Sequence, residues 1–267
     1  MSNEKEKITP PSRFNTFRET FAAADMIGVP GALVKARAQK IPPGKKQPII
    51  VLPGIGADDY STWPLRYFLK RHGYRTEGWG IGRNTGGRGL IKDLDELSHR
   101  WTSDRNRPHR GEGEVPALID KMHDRVKARA EALGSPVVLI GWSLGGYVAR
   151  EVARDLPEHV AAVITMGSPV VGGPKYTSTA AIFRARNCDL DWIEQEVEKR
   201  FENPIRQPIT AIFSKRDGVV GWRSSIDHFS PHVNHIEVNV SHIGMGLNAG
   251  VWRLVLNALE KGVGDKS

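Results

Sequence analysis

One serine of this chain lies in the pattern Gly141-Trp142-Ser143-Leu144-Gly145. Four apolar residues precede Gly141, which indicates a strand buried on both faces. After Ser143, apolar residues recur every four positions, as on one face of a helix. A five-residue pattern of this kind also arises by chance, but here a strand precedes it and a helix follows it. A serine at such a strained strand-to-helix turn presents its hydroxyl above the sheet. Side chains at 141 and 145 would collide with the neighbouring strand and helix, which explains the two glycines. We therefore interpret Ser143 as a nucleophile.

A serine hydroxyl needs a base within hydrogen-bonding reach, and that base needs a third group to orient it. In a strand–helix architecture of this kind, the partners follow the serine in the order acid, then histidine. Asp217 follows the strand predicted over 209–214, and His242 follows the strand predicted over 236–240. Both loops are expected at the sheet edge that carries Ser143, so Asp217 and His242 are the predicted acid and base.

Other acids and histidines compete for these two roles. The rival acids either belong to a predicted insertion or lie too far past a strand, and the rival histidines lie between the last two predicted strands. Asp217 itself has a plainer interpretation, because Asp-Gly is a common turn pair. The rivals are Asp189, Asp191 and Asp227, and His228, His232 and His235.

Acyl transfer through a serine also requires backbone N–H donors for the oxyanion. Leu144 should supply one, because it follows the serine. The second should come from the glycine-rich loop after the strand predicted over 49–53, where we choose Ile55, with Gly56 as the alternative. Four tryptophans could form apolar walls for an acyl group, although tryptophans are also ordinary core residues: Trp79, Trp142, Trp192 and Trp222.

Strands and helices alternate along most of the chain, which predicts an α/β fold with a mostly parallel sheet of about six strands flanked by helices. The predicted strands are 49–53, 74–79, 137–140, 160–167, 209–214 and 236–240. The predicted helices are 63–72, 115–133, 144–156, 190–201 and 248–259. Residues 170–207 interrupt the alternation, and we favour a small lid insertion there over an ordinary long crossover.

Two regions are expected along the chain, an N-terminal helical extension over 1–47 and the main domain over 48–267. Within the extension, two short helices should meet at a turn over 28–31. They could pack on the domain, the commoner arrangement, or lie on a membrane with basic side chains outward. The apolar face is Phe14, Phe17, Phe21 and Ala24, and the basic residues are Lys35, Arg37 and Lys40.

The composition of the 267 residues fits a soluble globular protein, with a formal net charge of +8. Residues 1–50 hold nine Lys or Arg against four Asp or Glu, and a basic segment can serve nucleic acid or anionic membrane. We find no nucleic-acid-binding signature, no apolar run of membrane-spanning length and no secretory signal, and the glycines of 78–87 lack phosphate-loop spacing. The single cysteine, Cys188, excludes an internal disulfide and fits a cytoplasmic location. We expect no metal and no organic cofactor.

Taken together, these loops resemble the α/β-hydrolase family, in particular its small bacterial esterase- and lipase-like members. Pro53-Gly54-Ile55-Gly56 is similar to the family's His-Gly-x-Gly loop, with proline in the histidine position. Residues 214–222 are similar to its Asp-Gly-x-Val acid loop, and residues 241–246 to its histidine loop.

The resemblance covers about residues 48–260. It implies an α/β-hydrolase fold and a serine hydrolase that cleaves carboxylic esters through an acyl-enzyme, acting on a small-molecule ester. The alternatives are acyl transfer or thioester cleavage by the same residues, or a binding protein that has kept the fold without the reaction.

Overall fold

The protein forms one six-stranded sheet in which every pairing is parallel, in the order β2-β1-β3-β4-β5-β6. The computed structural model describes residues 7–38, 40, 47–101, 105–106 and 109–262. The strands are β1 (Pro48–Leu52), β2 (Arg75–Gly78), β3 (Val137–Trp142), β4 (Val160–Met166), β5 (Ile209–Phe213) and β6 (Val233–Glu237). This arrangement confirms the predicted α/β class and parallel sheet.

Helices cover both faces of the sheet. The α-helices are α1 (Arg13–Arg18), α2 (Val29–Ala38), α3 (Asp59–Arg71), α4 (Glu114–Leu133), α5 (Leu144–Asp155), α6 (Ala180–Ala185), α7 (Leu190–Arg200), α8 (His242–Leu247) and α9 (Ala249–Gly262). Short 3-10 helices span Glu19–Met26, Leu94–Glu96, Gly173–Tyr176 and Trp222–Ser225. Within the described residues, none of the helices combines the length and the apolar character needed to cross a membrane.

The core is divided by the sheet into two layers. Ile50 and Leu52 of β1 pack with α4 and α5 on one face, whereas Ile49 and Val51 pack with α3 and α9 on the other. Successive side chains of a strand point to opposite faces, so a strand buried on both sides reads as a continuous apolar run. That is the pattern seen before Gly141 in the sequence.

Two elements begin three or more residues away from their predicted starts. Helix α3 starts at Asp59 rather than residue 63, because the Asp58 side chain accepts the N–H of Tyr60 and caps the helix. Strand β6 spans Val233–Glu237 rather than 236–240, and His235 therefore lies within a strand. As an edge strand whose residues are all half-buried or exposed, β6 lacks the apolar run that marks the central strands.

The N-terminal helices pack on the domain through their polar side. Phe14, Phe17 and Phe21 leave 65%, 62% and 63% of their surface exposed. The predicted apolar face therefore exists, but it points away from the core. In α2, by contrast, Ala36 is buried, and the Arg71 guanidinium donates to its carbonyl.

Candidate active site

Ser143 stands between β3 and α5 in a backbone conformation that side chains rarely adopt. Its φ is 55° and its ψ is −127°, and its N–H donates to the carbonyl of Met166 at 2.8 Å. A serine at positive φ stores strain that the surrounding structure must hold in place. The strand, the sharp turn and the helix expected around this residue are all present.

Close backbone approach explains the flanking glycines. A Cβ at Gly141 would lie 2.3 Å from the Cα of Gly146, and one at Gly145 would lie 2.5 Å from the carbonyl oxygen of Leu52. The first clash is with the helix and the second is with strand β1. Both positions therefore exclude any side chain.

His242 and Asp217 form a buried pair. His242 Nδ1 lies 2.8 Å from Asp217 Oδ2, and the two residues are 4% and 3% exposed. The other oxygen of Asp217 accepts the N–H groups of Val219 and Val220 at 2.8 and 2.7 Å. The carboxylate therefore fixes its own loop with one oxygen and the imidazole with the other.

Gly167, at the end of β4, makes room for this pair. It has a φ of 57°, and a Cβ there would lie 3.0 Å from Asp217 Oδ2 and 3.1 Å from His242 Nδ1. The sequence placed this residue at the end of a predicted strand without indicating a role in the site. The apolar strand before it, which ends at the same sheet edge as β3, was the available signal.

The histidine loop is also attached to the turn that carries the serine. The Trp142 indole N–H donates to the carbonyl of His242 at 3.1 Å, and the two rings lie 5.8 Å apart. Because Trp142 is adjacent to Ser143 in the chain, this bond brings the histidine next to the strained turn. Trp142 therefore joins the histidine loop to the turn that carries Ser143.

Burial would by itself lower the pKa of His242, because it disfavours the charged imidazolium. The Asp217 carboxylate, and the Glu19 carboxylate further away, oppose this effect and raise the pKa above its ordinary value. An imidazole in this setting is stabilised when it becomes charged, as a general base does.

The rival acids have other partners. Asp227 binds the Arg150 guanidinium at 2.6 Å, with both side chains 1% exposed. Burial would raise its pKa, but Arg150 and nearby hydrogen bonds lower it to about 2. Asp189 caps α7, and Asp191 pairs with Lys175 at 2.6 Å.

The rival histidines also lie elsewhere. His228 and His232 are exposed. His235 lies on β6, and its ring accepts the N–H of Asp227. Among the residues that the structure describes, no group of three or more His, Cys, Asp or Glu side chains is placed to hold a metal ion.

Asn84 organises the loop after β1. Its carbonyl accepts the N–H of Gly56 at 2.7 Å, and its side chain donates to the carbonyl of Pro53 at 2.9 Å. Gly56 is thus a poor alternative as oxyanion donor, because its N–H is already used, whereas no described residue accepts the N–H of Ile55. Asn84 is fully buried, and sequence reasoning missed it because nothing marked one asparagine in a glycine-rich loop.

A mostly apolar cavity opens beside the serine. It encloses about 900 Å³, its open mouth included, and Ser143, Ile55 and Leu144 contribute to its wall. Nine of its 21 lining residues come from the segment 170–207. They include Phe183, Trp192, Ile193 and Val197.

Of the four tryptophans expected around a pocket, Trp192 lines this cavity. Trp79 is fully buried in the core, where its indole donates to the carbonyl of Gly82. Trp222 stacks on Phe213, and Trp142 supports His242. These three do not line this cavity, because proximity in sequence to the sheet edge does not determine which way a ring points.

Comparison with known proteins gives a consistent family. Residues 49–260 match the model of the alpha/beta hydrolase family. Pimeloyl-[acyl-carrier protein] methyl ester esterases from Sodalis glossinidius and Edwardsiella ictaluri are 32% and 26% identical over 108 and 130 residues, or 40% and 49% of this chain. These matches span 35% and 47% of the relatives' own lengths.

Solved structures show the same fold at low identity. A monoacylglycerol lipase from Paleococcus ferrophilus has a TM-score of 0.55 at 14% identity, over 82% of this chain and 96% of that one. A lipase from Bacillus licheniformis also has a TM-score of 0.55, at 13% identity, over 83% of this chain and 96% of that one.

Proposed function

Because the chain belongs to the α/β-hydrolase family, we propose that it is a serine hydrolase that cleaves carboxylic esters through an acyl-enzyme. The observation that carries the proposal is the buried His242–Asp217 pair, bound at 2.8 Å and joined through the Trp142 indole to the turn of the strained Ser143. The esterase names of the sequence relatives agree with this chemistry.

In the proposed reaction, Ser143 Oγ attacks the ester carbonyl while its proton passes to His242 Nε2. Asp217 stabilises the imidazolium through Nδ1–H, and the N–H groups of Ile55 and Leu144 bind the oxyanion. The first N–H groups of a helix have no acceptor within it, and Leu144 begins α5. The imidazolium then protonates the leaving alcohol, and water, activated by the same histidine, releases the acid.

Ser143→Ala tests the nucleophile. We expect kcat to fall by about a million-fold, as for removal of a catalytic serine, because the variant lacks the hydroxyl that forms the acyl-enzyme in the proposed reaction. Ester hydrolysis should be measured on a series of nitrophenyl esters, together with the thermal midpoint. A variant that kept more than about a thousandth of the activity would contradict this role.

We also propose that the acyl group is apolar, because the cavity next to Ser143 is lined largely by apolar side chains. The segment 170–207 would then act as a lid. Trp192→Ala should change the preference among ester chain lengths more than it changes stability. A loss of a few kcal/mol in folding, as for a buried aromatic, with an unchanged chain-length profile would contradict the lid.

The exposed phenylalanines support a weak contact with a membrane surface. Phe14, Phe17 and Phe21 face outward, with the Arg18 guanidinium 5.4 Å from the Phe14 ring centre, and basic and aromatic groups favour an anionic lipid interface. Replacing the three by serine should reduce co-sedimentation with phosphatidylserine vesicles without reducing hydrolysis of a soluble ester. Equal sedimentation of both proteins would contradict the contact.

A further inference from the structure

An upstream part of the chain contacts both loops of the proposed triad. We define the N-terminal segment as residues 12–26, the acid loop as 214–221 and the histidine loop as 241–246. The segment contains α1 and the 3-10 helix that follows it, and it precedes the residues that match the family model. It is therefore a feature of this chain outside the matched region.

The Glu19 carboxylate binds main-chain groups of both loops. One oxygen accepts the N–H of Gly218 at 2.9 Å and the N–H of His242 at 2.7 Å, and the other accepts the N–H of Ile243 at 3.1 Å. The last two donors lie in the first turn of α8, where main-chain N–H groups have no acceptor within the helix. The Glu19 side chain thus binds the main chain of Gly218, which follows Asp217, and also the main chain of His242 itself.

Neighbouring contacts fix the segment against the same two loops. The Thr16 hydroxyl donates to the carbonyl of Gly218 at 2.8 Å, and a Cβ at position 218 would lie 2.3 Å from the carbonyl oxygen of Asn15. On the other side, the Asp25 carboxylate accepts the N–H of Ser241 at 2.8 Å. Glu19 therefore lies between two anchored points and has little freedom to move away.

We propose that Glu19 is a positioning residue of the hydrolase site. By binding N–H groups of both loops, it holds Asp217 and His242 at the spacing that their hydrogen bond requires. Its negative charge also favours the imidazolium that forms when the proton of Ser143 Oγ passes to His242. The inference rests on the proposed function.

The charges around the imidazole agree with this role. Burial lowers the pKa of His242, and Asp217 and then Glu19 raise it, so that the pKa lies above its ordinary value. Asp217 faces the ring from the acid loop, and Glu19 approaches it from the N-terminal segment. The remaining acid of that segment, Asp25, binds the main chain of the histidine loop.

Glu19→Gln is the discriminating change, because it keeps the size of the side chain and removes the charge. We expect kcat to fall by roughly tenfold, the loss usual for hydrogen bonds to a charged group, with KM unchanged. The pKa of His242, followed by NMR on histidine-labelled protein, should decrease. The acid limb of the kcat/KM profile should move to lower pH with it, because the neutral imidazole is the active base.

Two further variants separate geometry from charge. Glu19→Asp keeps the charge but shortens the side chain, so kcat should fall while the pKa of His242 stays closer to that of the wild type. Glu158→Gln removes an exposed carboxylate in the turn after α5 and should leave kcat, KM and the pKa of His242 unchanged. The thermal midpoint of each variant identifies effects that come from folding alone.

A Glu19→Gln protein with wild-type kcat and an unchanged His242 pKa would overturn the role of Glu19, while an inactive Ser143→Ala protein would leave the proposed function intact. Lower stability with kcat unaltered for the folded fraction would also overturn it, since that would be a purely structural role. If Ser143→Ala remained active, the proposed function would fail, and the His242 pKa would still test Glu19. If Glu19→Gln did not fold, unchanged kcat in Glu19→Asp would overturn the proposal.

Discussion

Two buried aspartates, ten positions apart in the sequence, bind two different bases. Asp217 binds His242 at 2.8 Å, and Asp227 binds Arg150 at 2.6 Å. All four side chains are almost completely buried. The imidazole can lose and regain a proton near neutral pH, whereas the guanidinium always carries its charge. In the proposed mechanism, the partner, and not burial, therefore determines which carboxylate assists a proton transfer and which only holds the fold together.

The largest expected difference between the pairs is in catalysis. Asp217→Asn should lower kcat by about 10⁴-fold, because an amide cannot stabilise the imidazolium and favours the wrong tautomer. The thermal midpoint should change little, since the amide oxygen can still accept the N–H groups of Val219 and Val220. Steady-state kinetics and thermal unfolding check both parts. A larger loss of kcat in Asp227→Asn than in Asp217→Asn would reverse the comparison.

The corresponding change in the other pair should lower stability rather than kcat. Asp227→Asn leaves the Arg150 guanidinium buried without its counter-charge, which we expect to cost about 3–5 kcal/mol in the free energy of unfolding. The folded fraction should keep nearly the wild-type kcat. Urea unfolding measures the loss, and Asp124→Asn is the matched control, because that side chain is 82% exposed. Equal stability of the two variants would contradict a structural role for the Arg150 pair.

As the pH falls, the two pairs should lose their effects one after the other, first on activity and then on stability. The raised pKa of His242 means that the base is protonated, and activity is lost, at a higher pH than for an ordinary histidine. The pKa of Asp227 is lowered from 3.8 to about 2, so its contribution, about 2 kcal/mol, is present above pH 4 and disappears as the pH falls from 4 to 2. Activity and unfolding free energy, measured from neutral to strongly acid pH, should therefore fall in two separate steps, with activity lost first. Simultaneous loss would show that acid unfolding alone removes the activity.

The smallest effect is expected when the structural pair is removed as a unit. Replacing Arg150 by Met and Asp227 by Leu together avoids an unpaired charge, and such exchanges are often neutral or stabilising. We expect a stability within about 1 kcal/mol of the wild type and full hydrolysis. A double variant as unstable as Asp227→Asn would mean that the pair has a role beyond mutual neutralisation.

The central strands and the strained turn could be predicted from the sequence, because burial on both faces requires uninterrupted apolar residues and because Gly141 and Gly145 exclude side chains. Asp217 and His242 could be selected by their places after strands. Strand β6 was predicted three residues too far along the chain, since an edge strand with one exposed face has a weaker apolar pattern. These differences follow from how strongly burial constrains each element.

Other residues had no detectable signal. Asn84 acts through main-chain groups of a distant loop, and any polar residue of similar reach would look the same in the sequence. Glu19 lies in an unremarkable polar stretch, and its partners are 199 to 224 positions further along the chain. Contacts of this kind depend on tertiary approach, which local periodicity does not encode.

The contacts of the N-terminal segment also bear on how the protein reaches its final state. Residues 15–25 bind residues 215–248 at separations of 199 to 224 positions, and contacts at such separation form slowly. On the ribosome, the first helices emerge long before their partners have been synthesised. The central strands can pair before the acid and histidine loops bind the N-terminal segment. Full activity should therefore appear after the bulk of the tertiary structure, during refolding as during synthesis.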